Sequence, residues 1–269
     1  MSVKILDKLW EQYIKANPHV KQVYDSFVEE GEKPINDHIA LRTLDDPKVD
    51  INVLSKPFID IGYKVCGHYD FKVKKLKAIH LEHSDHMQPK IFISQLLVEE
   101  FSPFLQKTLK AYVEAIPSRL LKDLEVLLTS GASWSFISYK TYQKLLEESE
   151  YAAWFYVFGF RANHFTVFIN DLKNFNEVAE VNNFLKLNGF ILNTSGGEIK
   201  GTPADYLEQS STVSGKSEVK FIEGKKEIPC CYYEFAKRYP DQNGKLYQGF
   251  VAKSADKIFE STNTNSNAR

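Results

Sequence analysis

His38 and Arg42 lie four residues apart in Asn36-Asp37-His38-Ile39-Ala40-Leu41-Arg42-Thr43, where apolar and polar residues alternate as in a strand. An even spacing in a strand puts both side chains on one face. Histidine is the commonest metal ligand and arginine the best carboxylate clamp, so that face could hold a metal beside an anion. A second strand, Ala162-Asn163-His164-Phe165-Thr166-Val167-Phe168-Ile169, repeats the Asn/His opening. A third candidate ligand is Glu234 in Cys231-Tyr232-Tyr233-Glu234-Phe235-Ala236, an acid among aromatic and apolar neighbours that is costly to bury alone. Two histidines and one carboxylate are the donor set of non-haem Fe(II) sites, with positions left open for substrate and O2. The residues alone leave three readings of Glu234: a metal ligand, a partner of Lys237 or Arg238, or a solvent-facing acid.

The elements that must position these residues follow from periodicity. Residues 1–30 predict two short helices broken near Asn17-Pro18. The His38 strand is followed by a helix over Ile51–Ile61 ending at Gly62, then strands at Tyr63–Tyr69, Lys77–Glu82 and Lys90–Leu96. Leucines and tyrosines at helical spacing between Val98 and about Tyr156 predict an insertion of three or four helices. After the His164 strand come a helix over about Asn176–Leu187, a strand at Phe190–Asn193, a polar stretch Ser195–Gly215, and strands at Ser217–Ile222 and Pro229–Lys237. His38 and His164 stand 126 residues apart, as do Phe58 and Phe184 at the helix ends. A shared offset predicts a duplicated β-α-β-β-β unit with one site between the copies. The fold class is therefore α+β: two pseudo-symmetric modules forming a half-barrel. The expected divisions are 1–97 (helices and first module), 98–156 (helical insertion), 157–261 (second module) and 262–269 (a disordered Asn/Ser/Thr-rich tail).

Other polar residues have plainer readings. His80, His83 and His86 are spaced by three at a strand end and turn, which does not converge their rings; a solvated polar turn is expected. Asp37, next to His38 on a strand, should point away from any metal and serve as a structural or outer acid. Arg161 enters the pocket or makes an ion pair at the sheet edge. Thr202-Pro203 before Asp205, Tyr206 and Gln209 reads as a capped helix start, with Tyr206 or Ser210 reaching the pocket as the alternative. Gly249-Phe250-Val251-Ala252-Lys253-Ser254 reads as a closing strand, or as backbone donors to a substrate carboxylate with Val251 or Ser254 in contact.

The net charge of −1 offers no footprint for nucleic acid or anionic membrane. No apolar run approaches the roughly 20 residues of a membrane span, and the start lacks a signal-peptide pattern. Three cysteines, Cys66 and the adjacent Cys230-Cys231, argue against a disulfide framework and for a reducing cytoplasm. The adjacent pair would point to opposite faces and reads as core, not as a metal site.

The chain resembles the 2-oxoadipate dioxygenase/decarboxylase family of the vicinal-oxygen-chelate group. The matching stretches are the His38 and His164 strands, Gly201-Thr202-Pro203-Ala204-Asp205-Tyr206-Leu207-Glu208-Gln209-Ser210-Ser211, and Tyr232-Tyr233-Glu234-Phe235-Ala236-Lys237-Arg238. The resemblance implies Fe(2+) held by His38, His164 and Glu234, and Arg42 on the substrate's distal carboxylate. It implies that 2-oxoadipate and O2 become 2-hydroxyglutarate and CO2, as in lysine catabolism. Gln95 stands where many members have Glu, near where the second module places Glu234, which favours three protein ligands plus water. Alternatives are a vicinal-oxygen-chelate lyase or isomerase that needs no O2, and a ligand-binding protein of the same fold.

Overall fold

The computed structural model describes residues 4–134 and 136–251. Two helices, α1 (Lys4–Ala16) and α2 (Pro18–Glu29), meet at Asn17 as expected, because the fixed φ of Pro18 suits a first helical turn. The first module then runs β1 (Asn36–Leu44), α3 (Ile51–Asp60), β2 (Tyr63–Phe71), β3 (Leu76–His83) and β4 (Lys90–Leu96). Asp50 caps α3 by accepting from the Val53 N–H at 2.8 Å, and Gly62, at φ 104, takes the left-handed turn after it.

Five helices follow rather than three or four: α4 (Pro103–Glu114), α5 (Ser118–Lys122), α6 (Leu124–Leu128), α7 (Tyr139–Glu148) and α8 (Glu150–Phe158). The leucine-rich stretch splits at Asp123, whose side chain caps α6. In α8 every residue from Tyr151 to Phe158 is buried, so this helix has no solvent face.

The second module comprises β5 (Ala162–Phe168), α9 (Val178–Leu187), β6 (Lys200–Thr202), β7 (Leu207–Ser211) and β10 (Tyr232–Arg238), with a separate hairpin of β8 (Lys216–Phe221) and β9 (Gly224–Pro229) before its last strand. Two expectations change here. Phe190–Asn193 contributes only an isolated bridge, Leu192 to Thr212, and the polar stretch read as a loop supplies β6 and β7. The helix start at Thr202-Pro203 is one 3-10 turn, capped where the Thr202 hydroxyl accepts from the Asp205 N–H. Pairing with β10 makes a strand of β7, although its own sequence is polar.

All but the hairpin strands join one sheet, ordered β2-β3-β4-β1-β5-β10-β7-β6. Each half has the same internal order, and the halves meet through antiparallel β1 and β5. His38 lies opposite Thr166 and Ala40 opposite His164; with an offset of 126, each pair is the other's image under a local two-fold. The sheet curls into a half-barrel. Its convex side packs on aromatic residues, with Trp10 on Phe165 (5.0 Å) and Phe27 between Phe184 (5.0 Å) and Phe235 (5.9 Å). No helix among the described residues is long and apolar enough to cross a membrane.

Candidate metal centre

The concave face brings His38, His164 and Glu234 together, each buried, with one ligand atom from each lying within 4.8 Å of the others. His38 Nε2 is 3.6 Å from Glu234 Oε1, and His164 Nε2 is 3.2 Å from Glu234 Oε2. A cation about 2.1 Å from each atom fits between donors so spaced.

The register explains the convergence and how Asp37 comes to act as the outer acid behind His38. Between β1 and β5 the pairing skips one residue twice, at Asp37 and at Asn163, positions again 126 apart. A β-bulge re-aims the side chain that regular pleating would send to the opposite face. Each bulged residue therefore turns to the imidazole that follows it: Asp37 Oδ1 lies 2.7 Å from His38 Nδ1, and Asn163 Oδ1 lies 3.0 Å from His164 Nδ1. Both acceptors hold a proton on Nδ1, which makes each Nε2 the acceptor nitrogen; in His38 it lies 3.1 Å from the Thr166 hydroxyl, the donor that a metal would replace. Burial lowers the pKa of His38, against the raising effect of Asp37. Burial also carries His164 well below its ordinary value, helped by the charges of His38 and Arg42.

Burial would raise the Asp37 carboxyl, yet Arg238 and Lys90 hold it well below the usual carboxylate range. Arg238 grips it with Nε at 2.6 Å and Nη2 at 2.8 Å, and its Nη1 donates to the carbonyls of Tyr247 (3.0 Å) and Gly249 (2.8 Å). That anchor brings the chain end over the site, with the Phe250 ring edge-on to His38 at 4.8 Å. The Gly249 segment thus offers a carbonyl to Arg238 and an aromatic wall to His38. Val251 follows, half-buried, and Ser254 lies outside the described residues, as does the tail at 262–269.

Glu234 is fully buried, and burial pushes its carboxyl up to about 8 against the lowering effect of a hydrogen bond from the Gln209 amide to Oε1. Among the described residues Oε2 has no hydrogen-bond donor. An orphaned buried carboxylate oxygen 3.2 Å from His164 Nε2, with its sister oxygen 3.6 Å from His38 Nε2, fits a bound cation. Tyr232 stacks on His164 at 4.7 Å, with its hydroxyl buried and unpartnered.

Arg42 shares the face, almost fully buried, with Nη1 3.0 Å from Glu150 Oε1. Its guanidinium lies over the rings of Tyr151 (4.7 Å) and Trp154 (5.0 Å) on α8. Glu150 and Tyr151 also line a cleft of about 490 Å³ with Lys74, Leu76, Phe101 and Leu146.

The remaining candidates fall elsewhere. β4 pairs with β1 as β10 pairs with β5, His38 opposite Lys90 and His164 opposite Tyr232, so the counterpart of Glu234 is Phe92 and not Gln95. Gln95 instead accepts from the Ile51 N–H at 3.0 Å, at the start of α3. The three nearby histidines do not converge, but His80 is not solvated: it is buried between Tyr69 (Nδ1 to the hydroxyl, 2.8 Å) and Glu82 (Nε2 to Oε1, 2.9 Å). Tyr206 packs its ring on Tyr247 at 5.8 Å, and Ser210 donates to Asn182 on α9 at 2.6 Å. Within that motif Gln209 reaches the centre. Cys230 and Cys231 are buried and unpaired, as a core reading requires. The sequence reading gave Asp37 only an outer role and did not place Gln209, Tyr232, Arg238 and Phe250 around the centre. The family-motif stretches contain the first four, but no local pattern says which of them face the site.

The family model of the 2-oxoadipate dioxygenase/decarboxylases matches residues 3–248. The chain belongs to this family. It is 33% identical over 284 residues to the chloroplastic 2-oxoadipate dioxygenase/decarboxylase of Arabidopsis thaliana, covering 96% of this chain and 76% of the relative. Its fold matches the crystal structure of the Oryza sativa hydroxyglutarate synthase in complex with 2-oxoadipate, with a TM-score of 0.91 at 32% identity over 99% of this chain and 93% of that one. A crystal structure from Shewanella frigidimarina NCIMB 400, described as a candidate hydrolase, is 50% identical with a TM-score of 0.88 over 93% and 97% of the two chains. The family is one of enzymes, and the paired-module half-barrel expected from the sequence is the fold it shares.

Proposed function

We propose that this chain converts 2-oxoadipate and O2 to 2-hydroxyglutarate and CO2, with His38, His164 and Glu234 holding Fe(II). The observation that carries the reading is the convergence of the buried His38, His164 and Glu234, with one ligand atom of each within 4.8 Å of the others, on the face that also carries Arg42. Two histidines and a carboxylate leave positions open for a chelating 2-oxo acid and for O2. Fe(II) held there supplies the redox capacity by which O2 oxidises a 2-oxo acid with loss of CO2. One molecule of O2 accounts for the balance: a six-carbon 2-oxo diacid becomes a five-carbon 2-hydroxy diacid and CO2. The names of the Arabidopsis relative and of the rice complex support the substrate.

The chain's own residues bind, orient and exclude water. Arg42, held by Glu150 and two aromatic rings, takes the carboxylate remote from the metal and so fixes which carbon faces it. Asp37 and Asn163 keep the proton on each Nδ1, so the imidazoles enter the site as neutral donors. Glu234 gives up its proton when a metal binds, since a carboxyl at about 8 is mostly protonated at neutral pH. Phe92 and Phe250, 4.9 Å apart, wall the His38 side against water. Three unpaired cysteines, one of them exposed, support a reducing compartment such as the cytoplasm.

The test is O2 consumption by the iron-loaded protein with 2-oxoadipate, with 2-hydroxyglutarate and CO2 measured together. The expected result is one O2 consumed per product formed. Metal-dependent turnover without O2, including hydrolysis, would replace this reading with lyase, isomerase or hydrolase chemistry. Tight binding without turnover would make the chain a binding protein.

A further inference from the structure

Arg42 has a neighbour that the proposed chemistry leaves unused. Leu41 lies opposite Ala162 at the end of the antiparallel β1–β5 register, and Arg42 and Arg161 are the next residues beyond that pair; both guanidinium groups lie by the ring of Trp154. Like charges brought together in a buried site repel. Nevertheless, among the described residues Nε and Nη2 of both arginines are buried without a hydrogen-bond partner. In a guanidinium these two N–H groups share one edge, spaced to match the two oxygens of a carboxylate. The other surfaces are occupied. Arg42 spends Nη1 on Glu150, and its flat face on Tyr151 and Trp154. Arg161 lies over Phe158 at 4.2 Å and Trp154 at 5.9 Å, and its side chain also bonds that of Cys231. Tyr151, Trp154 and Phe158 follow one another at spacings of three and four on α8, so a single helix face interleaves aromatic rings with the two cations. The free edges are the unexplained part.

We propose that Arg161 and Arg42 together form the seat for the carboxylate remote from the metal, so that the site selects 2-oxo acids carrying a second negative charge. This rests on the reading that the substrate is a 2-oxo dicarboxylate. Two cations against Glu150 leave one positive charge, which one further carboxylate neutralises. Arg161 is then a specificity residue that contributes to substrate binding without touching the metal.

The experiment compares the full chain with Arg161→Gln and Arg161→Lys in two assays. The first is turnover of 2-oxoadipate against 2-oxohexanoate, the same six-carbon chain without the second carboxylate. The second is binding of adipate, which lacks the 2-oxo chelate, followed by calorimetry and by Trp154 fluorescence without added metal. Arg161→Gln is expected to raise KM for 2-oxoadipate about tenfold to a hundredfold, with kcat changed much less and 2-oxohexanoate unaffected. Adipate affinity should fall by a similar factor. Arg161→Lys keeps the charge and loses the fork, so it should recover only part of the binding; it also serves if the Gln variant does not fold. An Arg161→Gln protein that keeps its adipate affinity and its preference for the dicarboxylate overturns the proposal. So does an equal loss for both substrates. If the parent chain turns over neither substrate but binds adipate through Arg161, the seat stands and the dioxygenase reading falls.

Discussion

The two modules share a backbone plan and differ in what they present from it. Equivalent strands carry His38 and His164, each preceded by a bulged residue that holds its Nδ1. Beyond the histidines the symmetry breaks at almost every inward position. Glu234 in the second module corresponds to Phe92 in the first, Tyr232 to Lys90, and Gln209 to Ala78. The first module answers with Arg42, where the second has Phe168. One half therefore supplies the carboxylate and the amide that holds it, while the other supplies the cation and Phe92, whose aromatic wall Phe250 completes from beyond β10. Duplication placed two histidines face to face. Divergence left the buried carboxylate on one side and the buried arginine on the other.

The comparison breaks most visibly at its most asymmetric position. Glu234→Gln should lose bound metal, measured as iron per chain, and turnover should fall below detection, because a neutral amide cannot replace a ligating carboxylate. The same variant carries a pH signature. The Glu234 carboxyl, at about 8 in the folded protein and near its ordinary value when unfolded, binds its proton more tightly in the fold. Its contribution is full below the unfolded value and is lost as pH rises through about 8, so without metal the parent should lose stability over that interval relative to Glu234→Gln. Melting temperatures from pH 5 to 9 that run parallel for the two proteins would contradict this. Arg42→Ala should cost at least about a hundredfold in turnover of 2-oxoadipate through lost orientation and leave iron content near that of the parent. Near-normal turnover would remove Arg42 from its role.

Asp37→Asn makes the two bulges chemically alike. It should weaken metal binding by about tenfold to a hundredfold, as loss of a carboxylate behind a ligating histidine does, and it should also destabilise the fold because Arg238 stays buried against a neutral amide. Unchanged metal affinity would mean that the acid matters only for Arg238. The smallest effect belongs to the counterpart of Glu234: Phe92→Leu should cost about 1–3 kcal/mol of stability in denaturant titrations with metal content unchanged. Loss of metal in that variant would show that the first module does more than wall the site.

Periodicity and spacing along the chain determined a good deal: the break at Pro18, the helix ending at Gly62, the two histidine strands and the offset of 126 that paired them. These are local properties, since helix capping, strand alternation and glycine turns each depend on a few consecutive residues. The tertiary structure decided what depends on partners far away in sequence. Asp37 faces His38 because a bulge against β5 turns it there, where alternation alone sends it to the other side. Polar β7 is a strand because β10 supplies its hydrogen bonds, and that pairing aims Gln209 at Glu234. Phe92, not Gln95, is the counterpart of Glu234 because cross-strand register, not position within a strand, sets which residue meets the centre. The ligand types were legible from one end of the chain to the other; their orientation was a property of the sheet that joins them.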